Sequence, residues 1–217
     1  FFSSRRRHTR LLTVTGVQTL CSSDLDLQLF PSNIRIVYNE EGKNIAKFLK
    51  YISFNYNDSN VWNNQNKYIQ QLKTYIEKES VEYINRYIPE TSIHLGRGWV
   101  QLYKTGQNID IHHHGYSLLA CVFYVSVPEN GGDLILVDPR GSVIEYNIFS
   151  QESAFNATSA RFIPKEGALI FFPGYMLHYT ERNLSNDNRI CIAANFFRTE
   201  QLTTKEKILP DEEYTSN

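Results

Sequence analysis

The spacing of apolar and polar residues divides the chain into two textures, and the change falls near Gly98. Before it, residues 27–38 (LQLFPSNIRIVY) alternate apolar and polar after Pro31, which predicts a strand. Residues 39–54 set Ile45, Phe48, Leu49 and Ile52 at helical spacing, and an Asn-rich loop follows over 55–66. A second helix is predicted over 67–87, with Ile69, Leu72, Ile76, Tyr83 and Tyr87 along one side and Pro89 as its stop. Both helices read as a supporting layer without chemistry of their own.

After Gly98, short runs of β-branched and aromatic residues alternate with turn residues. The runs are WVQLY (99–103), SLLACVFYVSV (117–127), DLILVD (133–138), SVIEYN (142–147), ARFIP (160–164), ALIFFP (168–173), HYTERN (178–183) and RICIAANFF (189–197). Pro and Gly punctuate them at 128–132, 139–141, 164–167 and 173–174. Short strands without helices between them predict a β-sandwich or jelly roll. One domain is expected over 26–200, with 26–97 as a helical support layer and 98–200 as the β core. Residues 201–217 read as a polar tail.

Composition changes this picture mainly at the N-terminus. The opening FFSSRRRHTRLLTVTGVQTLCSSDL contains an arginine cluster and matches nothing downstream in texture. As an export signal it is poor, because Thr13, Thr15, Gly16 and Gln18 break the apolar run and no small residues precede Cys21. The strings SSRRRHTR, TGVQT and CSSDL instead resemble translated sequencing-adapter DNA, a contaminant of metagenomic gene models. Residues 1–25 are therefore expected to be a non-native segment, with native sequence from about Asp26. Without them, the formal net charge moves from −1 to −4. Neither value suggests a nucleic-acid surface. No apolar stretch approaches the roughly 18 residues of a membrane span, so a cytoplasmic location is expected. The three cysteines include no Cys-x-x-Cys pair and form no disulfide framework.

Candidate chemistry begins with His112, His113 and His114. On an extended chain, residues i and i+2 share a face, so His112 and His114 project together and His113 projects oppositely. His178 opens a distant strand just beyond the Pro173–Gly174 turn. Three imidazoles from two strands would close three positions around iron, zinc, copper or nickel and leave others open. The same histidines are equally readable as a solvated loop plus one structural side chain. Arg189 opens the otherwise apolar strand ICIAANFF. It reads either as a surface cap or as a planar fork for a carboxylate.

In this order the elements resemble a family, the iron(II)- and 2-oxoglutarate-dependent oxygenases of the prolyl-hydroxylase-like kind. The resemblance is greatest to a group of bacterial and phage enzymes with an H-x-H motif. It is carried by WVQLYKTG (99–106), His112-x-His114, ACVFYV (120–125), PENGGDLILVDPR (128–140), PKEGALIFFP (164–173), His178 and RICIAAN (189–195). The resemblance implies a mainly β fold with N-terminal helices, a double-stranded β-helix (jelly roll, cupin-like). It implies that His112, His114 and His178 hold Fe(II), and that Arg189, Tyr103 and Tyr124 bind the cosubstrate 2-oxoglutarate. No catalytic residue beyond the metal ligands is implied. His114 stands where most of the wider superfamily has Asp or Glu, and Asp110 is the nearest alternative ligand. Phe123 and Cys191 replace a Tyr and a Ser of the family pattern, and Asn195 matches its final Asn.

The activity so implied is oxidative decarboxylation of 2-oxoglutarate by O2, giving succinate and CO2, coupled to hydroxylation of an unknown small-molecule or peptide substrate. Two rivals accompany it. One is a cupin-type three-histidine metal dioxygenase that uses no 2-oxoglutarate. The other is a non-catalytic jelly-roll binding protein with a vestigial site. Val122, Ile170 and Phe172 are expected to line the barrel interior.

Overall fold

The computed structural model describes residues 25–29, 32–140 and 158–199. The N-terminal segment up to residue 24, the strand expected at 142–147 and the polar tail lie outside the described residues. Where one strand was expected over 27–38, an antiparallel pair forms: β1 (Leu25–Leu29) and β2 (Ser32–Val37). Helix α1 spans Glu40–Leu49, with the Asn39 side chain accepting the Gly42 N–H and Glu40 and Glu41 in its first turn. It stops five residues short of the predicted end. The Tyr51 and Ile52 N–H groups already donate to carbonyls three residues back, which tightens the chain out of the helix. A 3-10 turn at Val61–Asn63 interrupts the Asn-rich loop. Helix α2 spans Lys67–Tyr87 as predicted, capped by the Asn66 side chain and burying Ile69, Leu72, Ile76 and Tyr83.

The remaining strands are β3 (Ile93–Tyr103), β4 (Leu119–Ser126), β5 (Leu134–Val137), β6 (Ser159–Phe162), β7 (Leu169–Pro173), β8 (His178–Thr180) and β9 (Arg189–Arg198). They form a six-stranded sheet, in the order β1-β2-β7-β4-β9-β3, and a three-stranded sheet, β6-β5-β8. All pairings are antiparallel.

The larger sheet is covered on both faces. On β4, Leu119, Cys121, Phe123 and Val125 pack toward the helices with Ile45, Leu49, Leu72 and Tyr75. Ala120, Val122 and Tyr124 point the other way, into a second core with Leu134, Leu136 and Phe162 of the smaller sheet. Burial on both faces explains why 117–127 reads as an almost unbroken apolar run. Ile170 and Phe172 also join this second core. Helix α2 is tied to the sheet by a buried ion pair, Arg35 to Glu79 at 2.8 Å, and by Tyr83 donating to the Asn33 carbonyl. No helix among the described residues is long and apolar enough to cross a membrane.

The expected double-stranded β-helix is not formed. A jelly roll needs its strands to close around a barrel, and among the described residues neither sheet closes. The reason lies in mismatched edges. The N-terminal pair β1–β2 widens one sheet to six strands, whereas the other consists of strands of four, four and three residues. The architecture is a mixed α/β fold, with helices outside and two antiparallel sheets around one cleft.

Candidate metal centre

His112 and His178 are opposite each other in an isolated antiparallel bridge, each N–H donating to the other's carbonyl at 2.9 Å. That pairing puts the two side chains on one face. His114 lies two residues on, with its N–H on the Gly174 carbonyl at 2.8 Å, so its ring joins them. The Nδ1 of His112 is 2.7 Å from the Asp110 carbonyl, and the Nδ1 of His178 is 2.9 Å from that of Met176. A ring nitrogen facing a carbonyl carries the proton, which leaves Nε2 of both rings as the lone-pair donor. The Nε2 atoms of His114 and His178 are 3.3 Å apart. One ligand atom from each of the three rings lies within 4.8 Å of the others.

Burial favours the neutral form of two of these rings, His114 and His178. The His114 pKa is lowered to about 4 and that of His178 to about 3, first by desolvation and then by the neighbouring His112. Trp99 and Phe172 provide apolar walls, with ring centroids 5.8 Å from His114 and 4.7 Å from His178. Two neutral nitrogens facing each other at 3.3 Å require a shared proton or a cation between them. The donor set therefore fits a divalent transition metal, for which imidazole is a preferred ligand.

His113 is exposed and outside the cluster, its Nδ1 accepting the Gly115 N–H. Asp110 is also exposed, its carboxylate accepting from Asn108, and it contributes only its backbone carbonyl to the site.

The same cleft is lined by Arg189, Tyr103, Tyr124 and Cys191. Arg189 is 1% exposed, yet among the described residues its Nε and Nη2 have no hydrogen-bond partner. Its Nη1 donates to the carbonyls of Gly131 and Gly132 at 2.9 and 2.8 Å, and its guanidinium lies 4.0 Å over the Tyr103 ring. Gly132 adopts φ +85, and a Cβ there would sit 2.5 Å from the Glu181 carbonyl oxygen, so the turn that holds Arg189 needs glycine. Tyr103 donates to Gln101 Oε1 at 2.8 Å, and burial raises its pKa far above the usual phenol range. Burial likewise raises Tyr124, and it pushes the Cys191 thiol up to about 12, so that thiol stays protonated.

Sequence reasoning missed Trp99, Gln101 and Thr180 as lining residues. Gln101 was findable, since it precedes Tyr103 by two and shares its face. Thr180, whose Oγ1 accepts the Ile109 N–H, gave no signal. Asn195 leaves its Oδ1 buried without a partner and does not line the cleft.

Residues 97–195 match a family model described as "Putative 2OG-Fe(II) oxygenase". No curated protein matches the chain. Among solved structures, it is similar to HygX from Streptomyces hygroscopicus with nickel, 2-oxoglutarate and hygromycin B bound. That likeness has 11% identity and a TM-score of 0.54, over 76% of this chain and 83% of HygX. The non-heme α-ketoglutarate-dependent epimerase SnoN from nogalamycin biosynthesis is similar at 12% identity and a TM-score of 0.52, over 76% and 78%. An oxidoreductase of the 2OG-Fe(II) oxygenase family from Burkholderia pseudomallei matches at 11% identity and a TM-score of 0.47, over 60% of this chain. The chain spans 58% of that oxidoreductase, less than two thirds of its length. Residues 97–195, which hold the histidine cluster, are thus similar to the 2OG-Fe(II) oxygenases, and the solved structures show a likeness of fold.

Proposed function

We propose that this chain is a mononuclear metal-dependent oxygenase whose metal, iron(II), is held by His112, His114 and His178 without a carboxylate ligand. The observation that carries this reading is the convergence of three imidazoles in one cleft, with no Asp or Glu among the described residues joining them. HygX, whose fold this chain resembles, has been crystallised with iron bound, which supports the choice of metal. Iron(II) and dioxygen would supply the oxidation. The chain's own residues orient the substrate and exclude water. Trp99, Val122 and Leu134 provide an apolar lining that protects the reacting groups from stray oxidation.

On this reading the site acts as a three-histidine dioxygenase that needs no further cosubstrate. A second reading, with 2-oxoglutarate as cosubstrate, is favoured by Arg189. A fully buried guanidinium with Nε and Nη2 unpartnered calls for an anion, and those two groups match the two oxygens of a carboxylate. Tyr103 and Tyr124 would then line the cosubstrate's place, and succinate and CO2 would be products. The oxidised substrate is a small molecule or a peptide.

An anaerobic titration with iron(II), then 2-oxoglutarate, followed by optical absorption, separates the readings. A visible charge-transfer band on adding 2-oxoglutarate supports the second. Iron binding with no such band, and oxygen uptake without succinate, supports the first. Failure to bind iron overturns both.

A further inference from the structure

Strand β9 runs from Arg189, past Cys191 and Ala193 in the cleft, to Asn195 and Phe197 beyond it. Ile192, Ala194 and Phe196 pack toward the helices, so Asn195 and Phe197 share the cleft-facing side with Ala193. On β3, Leu95 packs toward the helices, and His94 shares the other side with its pair partner Phe197, with ring centroids 5.7 Å apart. The register of β3 shifts between Leu95 and Gly98. A Cβ on Gly96 would lie 2.6 Å from the Phe197 ring, so glycine there makes room for it. Trp99, opposite Ala193 and 5.8 Å from the His114 ring, joins this row to the histidine cluster. From Ala193 to Phe197 the row leads away from Arg189 and out of the cleft, over about 13 Å at the rise of a strand.

Trp99, Asn195, Phe197 and His94 are all half-buried. Two of them carry a buried polar atom with no partner among the described residues, Oδ1 of Asn195 and Nδ1 of His94. Such orphans cost stability, and an apolar side chain of similar shape would avoid the cost. The terminal torsions of Asn and His are broad, so each can turn its orphan atom toward a ligand. Their spacing says which kind. His94 pairs with Phe197, which makes Asn195 its diagonal neighbour, about 7–8 Å away in an antiparallel pair. The N–H groups along one edge of an extended peptide recur every second residue, at about 6.7 Å. We infer that the substrate is an extended peptide laid along this row. Two of its N–H groups donate to Asn195 Oδ1 and to His94 Nδ1, and a side chain passes Trp99 to reach the metal. The chemistry rests on the metal-dependent oxygenase proposed above; the peptide site rests on the row alone.

The test uses the full chain and two probes: a pool of blocked, uncharged pentapeptides, and the same pool with alternate amide N–H groups replaced by ester oxygens. Binding is followed first without metal, by tryptophan fluorescence. The amides should bind at least about fivefold more tightly than the esters, the scale of one hydrogen bond. Asn195→Leu and His94→Phe should each shrink that preference, and both should melt at or above the parent's midpoint, because each removes a buried orphan. Equal binding of amides and esters in the parent overturns the inference. So does a preference that survives both variants, or a midpoint several degrees lower in both, which would mark the two side chains as structural. Manganese(II) is then added, and it should broaden the proton resonances of the bound peptides. Manganese bound without broadening overturns the placement of the peptide at the metal. Peptide binding in a chain that takes up no manganese overturns the metal centre and leaves the peptide site standing.

Discussion

Within the triplet His112-His113-His114, side-chain direction alone separates two rings that meet His178 from one in solvent. His112→Ala and His178→Ala should therefore abolish iron binding in equilibrium dialysis, while His113→Ala retains it within about a factor of two, as an exposed residue away from special features usually does. Loss of binding in His113→Ala would mean that the strand is bulged and the wrong ring is assigned. Arg189→Lys keeps the charge but loses the planar fork. We expect 2-oxoglutarate affinity to fall about tenfold, roughly 1.4 kcal/mol, with iron affinity unchanged. Equal loss of both would mark Arg189 as structural. The convergence of His112, His114 and His178, and the place of Arg189 in the same cleft, were legible because a period of two, a turn before His178 and an arginine opening an apolar strand are local signals. Trp99 and Gln101 were not. They line the cleft only because β3 pairs with β9 in the register Trp99↔Ala193 and Gln101↔Cys191, and register is set by distant residues.

Helix α1 meets the loop before β7 at a contact with almost no space. A Cβ on Gly42 would lie 2.4 Å from the Gly167 carbonyl oxygen, and Gly167 itself adopts φ +82. In an open helix, Gly→Ala stabilises by about 1 kcal/mol. Here the sign should reverse, and Gly42→Ala should lower the thermal midpoint; a rise would show that the helix end shifts freely. Helix α2 was readable to its last residue because its apolar stripe, its Asn66 cap and Pro89 all agree. The β1–β2 pair was not, since the alternation over 27–38 reads as one strand, and only the register Leu27↔Ile34 shows two.

Among the described residues, helices and two sheets leave a cleft between the sheets, and the histidine cluster draws on two separate segments of the chain, which the paired backbone hydrogen bonds of His112 and His178 also join. His178 belongs to the smaller sheet, and His112 and His114 belong to the loop that leads into β4 of the larger one. Metal at about one hundred times its Kd should therefore stabilise the fold by about 2.7 kcal/mol, which raises the melting temperature by about 5–10 °C in a domain this size. A chelator should reverse the shift, and His112→Ala should show none. That neither sheet closes among the described residues could not be read from strand count, because closure depends on matching edges rather than on the letters within each strand. The sheet covered on both faces has a further effect on how this protein can change over generations. Along β4 and β9, successive residues serve different masters: Val122 and Ala193 border the cleft, while Phe123 and Ile192 hold the helices. Mutation at every second letter can therefore explore new substrates while its neighbours go on keeping the chain folded, so this scaffold can diversify in chemistry without first losing its shape.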